Sequence, residues 1–230
     1  MTTSIVEPSP SMPDDRLAGL SPLLVDLRDR PCLVVGGGGV AARRAESLVE
    51  AGARVSVVAP RLEAALRALV DDGRVGVWRD RDYAPGDADG QLLVVAATDD
   101  SQVNRRVGDD ARAAGALVNR ADEPAAGDVV MPAVVRRGDL VLAVSTGGAS
   151  PTLAAHVRCE LERDFGPEWG GLTSLLGEYR AQLAAAADTP EGRRRVVAEM
   201  IGAGVLDHLA RGDVAGARIL VGRMLSEERS

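Results

Sequence analysis

Residues 34–45 read VVGGGGVAARRA, and this stretch decides the fold. The apolar segment CLVV at 32–35 runs directly into Gly36, Gly37, Gly38 and Gly39. An alanine-rich helical pattern follows without a break. Glycine lacks a Cβ, so such a turn adopts positive φ and lets an anion approach the main-chain amides. The helix that follows adds the positive end of its dipole. The spacing Gly36-x-Gly38-x-x-Ala41 fits a dinucleotide-binding turn that admits alanine at its third position. Gly36, Gly38, Gly39, Val40 and Ala41 are therefore the expected diphosphate contacts.

Working outward, apolar runs alternate with helical periodicity. Strands are expected at 32–35, 55–58, 75–78 and 92–96, with a fifth beginning at 117–118. Helices are expected at 40–50, ended by Gly52, and at 61–71. A third carries Val103, Val107 and Ala111 and stops at Gly115. Continuous apolar strands between helices imply a parallel sheet covered on both faces. The fold class is thus α/β, a Rossmann-like doubly wound sheet of strand order 3-2-1-4-5, spanning residues 20–120. Its ligand crevice lies between the first and fourth strands, which sets the glycine turn opposite Thr98, Asp99 and Asn104. Thr98 and Asp99 also suit the capping of the next helix.

After Asn119 the rhythm changes. Residues 129–135 and 140–145 flank Arg136-Arg137-Gly138-Asp139, a β-hairpin pattern within a region assigned to 121–150. Pro132 marks the first of these strands as bulged or at an edge. From Pro151 a helical domain runs to 230, with Ser150 as N-cap and helices expected at 172–187, 193–201 and 214–225. Residues 1–19 are rich in Pro, Ser and Asp and read as a disordered leader.

Composition narrows the function. The chain has 230 residues, 46% of them hydrophobic but only 2% aromatic, and a net charge of −7. That balance disfavours a nucleic-acid partner, whose phosphates and bases call for basic and aromatic surfaces. All 27 basic residues are arginine, which removes Schiff-base chemistry. Cys32 and Cys159 are expected as reduced thiols, which suits a cytoplasmic protein. The sequence shows no metal-ligand spacing and no apolar run long enough to span a bilayer, and no signal peptide is expected from its first residues.

The turn at 145–150, Ser145-Thr146-Gly147-Gly148-Ala149-Ser150, places two glycines and three hydroxyls before a helix N-terminus. Such a turn suits a carboxylate-bearing ligand.

Taken in order, VVGGGGVAARRA, AGARVSVVAP, VVAATDDSQVNRRV, VNRADEP and MPAVVRRGDLVLAVSTGGASPTLAAHVRCELE resemble the precorrin-2 dehydrogenase family. The same unit forms the N-terminal part of siroheme synthases, and the length of this chain resembles the stand-alone form. The resemblance implies NAD-dependent oxidation of precorrin-2 to sirohydrochlorin in a cytoplasmic homodimer that pairs through the hairpin region. In some members it also implies insertion of ferrous iron, and here that second activity stays open.

The resemblance places the catalytic aspartate at Asp122, although Asp-Glu-Pro is also ordinary turn chemistry. Arg120-Ala121 stands where the family commonly has two small apolar residues. The acid that usually ends the second strand and holds the ribose is missing, since the chain reads Val58-Ala59-Pro60-Arg61. Backbone groups near Pro60 and Arg61 are expected to serve instead, with NAD as cofactor. Arg61 leaves NADP open. Ser145, Thr146, Gly147, Gly148, Ser150 and Arg158 are the expected substrate contacts, with a solvated arginine the other reading of Arg158. Two other functions fit the same turn: a non-catalytic NAD(H)-sensing module, and an NADP-dependent reductase of a smaller substrate.

Overall fold

The computed structural model describes residues 19–227, so the leader lies almost wholly outside the described residues. The chain divides into two compact units. The first runs to Met131 and takes in Gly147–Ala149; the second comprises Pro132–Thr146 and continues from Ser150.

The first unit is built on five parallel strands in the order β3-β2-β1-β4-β5. They are β1 (Pro31–Val35), β2 (Arg54–Val58), β3 (Val77–Arg79), β4 (Leu93–Ala96) and β5 (Leu117–Arg120). Helices α1 (Gly39–Glu50), α2 (Ala64–Asp71) and α3 (Ser101–Ala113) connect them. The apolar runs have a simple cause: successive residues of one strand feed two different cores. Cys32, Val34, Val57 and Val95 pack with Ala41, Ala45, Leu48 and Leu66 of α1 and α2. Leu33, Val35, Val58 and Val94 pack with Val107 and Ala111 of α3 and with Tyr83. Each fully buried leucine here, such as Leu33 or Leu48, contributes about 2 kcal/mol relative to exposure.

The expected strand order is the one observed. Element ends differ where tertiary hydrogen bonds overrule local pattern. Helix α2 begins at Ala64 rather than Arg61, because the Glu63 N–H donates to the Gly37 carbonyl at 2.8 Å and holds the chain extended. At the end of β2, Trp78 Nε1 donates to the Ala59 carbonyl at 2.9 Å. The Arg67 guanidinium lies 4.2 Å over the Trp78 ring.

In the second unit, β6 (Ala133–Arg137) and β7 (Leu140–Val144) form an antiparallel hairpin. Its turn carries Gly138 at φ 57°. Pro132 precedes β6, and the pairing is regular from Ala133 to Arg137, so of the two expectations, a bulge or an edge position, the edge strand is the one observed. Helix α4 (Pro151–Asp164) starts with Ser150 accepting from the Leu153 N–H at 3.1 Å, as the Ser-Pro pair predicts. Arg137 ties the hairpin to the end of α4, donating to the Phe165 carbonyl at 2.8 Å and the Glu162 carbonyl at 3.1 Å. Phe165 in turn meets Trp169, with ring centroids 4.9 Å apart.

The helices α5 (Glu168–Glu178), α6 (Arg180–Ala186), α7 (Pro190–Gly202), α8 (Val205–Ala210) and α9 (Val214–Glu227) complete this unit. They enclose Leu172, Leu175, Val196, Met200, Val221 and Leu225. The long helix expected at 172–187 is broken at Tyr179, which leaves helical geometry at φ −94° and ψ 12°. Helix α8 has no counterpart in the sequence reading.

Candidate dinucleotide site

Three neighbouring strands of the first unit end side by side. Val35 of β1 pairs with Ala96 of β4, and Ala96 pairs with Arg120 of β5. The glycine turn, the Thr98 turn and Asp122 follow these ends directly. Parallel α/β sheets bind ligands at this edge, where the chain departs in opposite directions from adjacent strands.

Within the turn the glycines do different jobs. Gly36 has φ +126°, and a Cβ there would lie 2.2 Å from the Ala97 carbonyl oxygen. At Gly37 a Cβ would lie 1.8 Å from the Arg61 carbonyl oxygen. These two are glycine because neighbouring backbone leaves no room. Around Gly38 and Gly39 the nearest atoms are only side-chain ends, those of Glu63 and Arg43. The start of α1 therefore lies open beside them.

Gly38 is the N-cap, no side chain caps it, and the first turn holds no acid. The first-turn amides thus lack a side-chain acceptor and suit a phosphate. The donor set and open space fit a dinucleotide's diphosphate. Val40 is 41% exposed and belongs to the same mouth. Ala41 does not: it is fully buried, and its small side chain serves the packing of α1 on the sheet. Pro60 and Arg61 are exposed at the end of β2.

The opposite wall is set by Asn104. Its Oδ1 accepts from the Thr98 N–H at 3.0 Å and lies 2.8 Å from Thr98 Oγ1. Its Nδ2 donates to the Thr98 carbonyl at 3.0 Å. Asn104 is fully buried, so the expected direct contact with a cofactor is corrected to a clamp on the Thr98 turn. Helix α3 is capped by Asp100, whose Oδ1 accepts from Gln102 N–H at 2.8 Å and Val103 N–H at 3.3 Å. Thr98 and Asp99 therefore leave that capping to Asp100, and Asp99 is exposed.

Asp122 is held by Arg120. Nε and Nη2 of Arg120 donate to its two oxygens, both at 2.8 Å. Arg120 also meets Glu123 at 3.3 Å. The Arg120 side chain is 5% exposed and that of Asp122 26%. The guanidinium fork is the main reason the Asp122 carboxyl is held down at about 2; burial opposes the shift, and the Asn104 amide adds to it.

Residues of the second unit have their own local order. Thr146 Oγ1 accepts from the Ser150 N–H at 3.1 Å and lies 3.0 Å from the Ser150 carbonyl, which closes the turn. Gly147 and Gly148, which belong to the first unit, take φ 59° and 81°. Ser145 is exposed. Arg158 is paired with Glu162 on the same helix, so it is engaged rather than freely solvated.

The sequence reading missed Glu63. A carboxylate in the turn after β2 was a usable signal, but it lies five positions beyond the strand end where the acid is normally sought.

The chain is 41% identical over 208 residues to a siroheme synthase of Pseudomonas aeruginosa, covering 90% of this chain and 42% of that one. It is 40% identical over 197 residues to a siroheme synthase of Chromobacterium violaceum, covering 86% and 42% respectively. It thus spans less than half the length of these relatives. A solved structure of "SirC, precorrin-2 dehydrogenase" superposes with a TM-score of 0.65 at 27% identity, covering 89% of this chain and 100% of that one. Sheet order, glycine turn and clamped wall define a Rossmann-type nucleotide-binding protein, and the putative NAD(P)-binding family matches residues 23–133. The family described as sirohaem biosynthesis protein central matches residues 137–164. The chain is thus similar in sequence to siroheme synthases and in fold to a precorrin-2 dehydrogenase.

Proposed function

We propose that this protein oxidises precorrin-2 to sirohydrochlorin with NAD. The observation that carries the reading is the adjacency of the β1, β4 and β5 ends, which sets an anion-binding glycine turn and an ionised aspartate along one sheet edge. Gly36, Gly38, Gly39 and Val40 hold the diphosphate, Pro60 and Arg61 border the ribose, and Thr98 and Asp99 form the facing wall. Bound NAD supplies the hydride acceptor. Asp122, kept ionised by Arg120, stabilises the positive charge left on the macrocycle and accepts hydrogen bonds from its N–H groups. Its low proton affinity suits that role better than permanent uptake of the proton, which passes on to water.

Ser145, Thr146, Gly147, Gly148, Ser150 and Arg158 are proposed to meet the substrate carboxylates. Among the described residues the two-stranded β6–β7 sheet has outer edges without strand partners, which supports pairing of two copies there. The test is an anaerobic assay with precorrin-2 and NAD, followed by absorbance, with ferrous iron added in a second stage. NADH formation that falls at least a hundredfold in Asp122→Ala supports the reading. Full turnover in Asp122→Ala removes Asp122 from the mechanism, and no NADH from the parent protein overturns the assignment.

A further inference from the structure

The first unit carries an acid at the dinucleotide mouth that the usual position lacks. The Glu63 N–H is fixed to the Gly37 carbonyl at 2.8 Å, so its Cα is held beside the glycine turn. Glu63 stands at the N-cap of α2, yet its carboxylate makes no capping bond there. The carboxylate leans over the turn instead. Its oxygens lie 3.5 Å and 3.3 Å from the points where Cβ atoms of Gly38 and Gly39 would sit. The side chain is exposed and can rotate.

In a dinucleotide fold, the adenosine ribose lies between this turn and the end of the second strand, and an acid there accepts from its hydroxyls. A carboxylate so placed also repels a 2′-phosphate. Arg61 alone would do the reverse.

Resting on the dinucleotide reading above, we propose that Glu63 is the specificity-determining residue of this site. Its carboxylate accepts from the adenosine ribose hydroxyls and excludes the 2′-phosphate of NADP. Its own repulsion of the diphosphate is offset nearby: Arg43 Nη1 lies 3.8 Å from the same Gly39 point. Anion and cation thus flank one mouth, the cation serving the diphosphate and the anion the ribose.

The test is calorimetric titration of the full chain with NAD+ and NADP+, for the parent, Glu63→Gln and Glu63→Asp, with melting temperatures as a folding control. The parent is expected to favour NAD+. In Glu63→Gln the ratio of the two dissociation constants is expected to shift at least about tenfold towards NADP+, the size of a lost charged hydrogen bond. Glu63→Asp, one methylene shorter, falls between them. An unchanged ratio in Glu63→Gln, or a parent that favours NADP+, overturns the role of Glu63 while leaving dinucleotide binding intact. A parent that binds neither overturns both the role and the reading beneath it.

Discussion

Arg120 and Asp122, two residues apart at the end of β5, form a bidentate ion pair with both contacts at 2.8 Å. The arginine is buried and the aspartate reaches solvent. The pair has a pH signature. The carboxyl is lowered from 3.8 to about 2, so its stabilising contribution is complete above pH 3.8 and is lost as pH falls through 2. Partial exposure reduces the contribution to about 1–2 kcal/mol. Urea melts from pH 5 to pH 2 are expected to show this loss in the parent and not in Asp122→Asn. Arg120→Met is expected to return the Asp122 titration towards 3.8, as followed by carboxyl NMR shifts.

The four glycines of the turn are not equivalent. Gly36→Ala and Gly37→Ala press a methyl against backbone at 2.2 Å and 1.8 Å, so each is expected to cost about 3 kcal/mol or more. Gly38→Ala meets only the Glu63 carboxylate at 3.5 Å. It is expected to fold normally and to lose at least about tenfold in dinucleotide affinity, because its methyl projects into the open mouth. Thermal melts and titration with NAD+ separate the two behaviours.

Asn104→Ala removes the three bonds that the Asn104 side chain makes to Thr98. The expected loss is about 2–4 kcal/mol, since the Thr98 amide is left without its acceptor. Denaturant unfolding measures it. Asn104→Asp is expected to recover none of the loss, because a buried carboxylate would face the Thr98 carbonyl and the ionised Asp122.

The cysteines differ in access. Cys32 is fully buried, and burial pushes its thiol up to about 11. Cys159 is exposed. Iodoacetamide at pH 8 is expected to alkylate one thiol per folded chain. Cys159→Ser is expected to abolish that labelling, and unfolding in urea to reveal Cys32, both read by intact mass.

The sheet could be read from sequence because buried parallel strands must be apolar on both sides, as Leu33 and Val34 are when they enter different cores. The glycine turn was legible for a related reason, since few other sequences leave a strand so abruptly. What was hidden depends on distant partners. Arg61–Glu63 looked helical until the Glu63 amide was spent on Gly37. Asn104 looked like a ligand because nothing local reveals that an amide side chain is fully buried and turned back on Thr98. The pairing of Arg120 with Asp122 required knowing that a strand ends between them.

The chain has two tryptophans, and they fall one in each compact unit. Trp78 hangs from the Ala59 carbonyl beneath a guanidinium, while Trp169 leans on Phe165. Intrinsic emission therefore divides into two separately addressable signals. A Trp169→Phe protein would report optically on β3 and its bond to Ala59 alone, and a Trp78→Phe protein on the helical bundle alone. Whether the two halves melt as one or in succession becomes a matter of comparing two spectra.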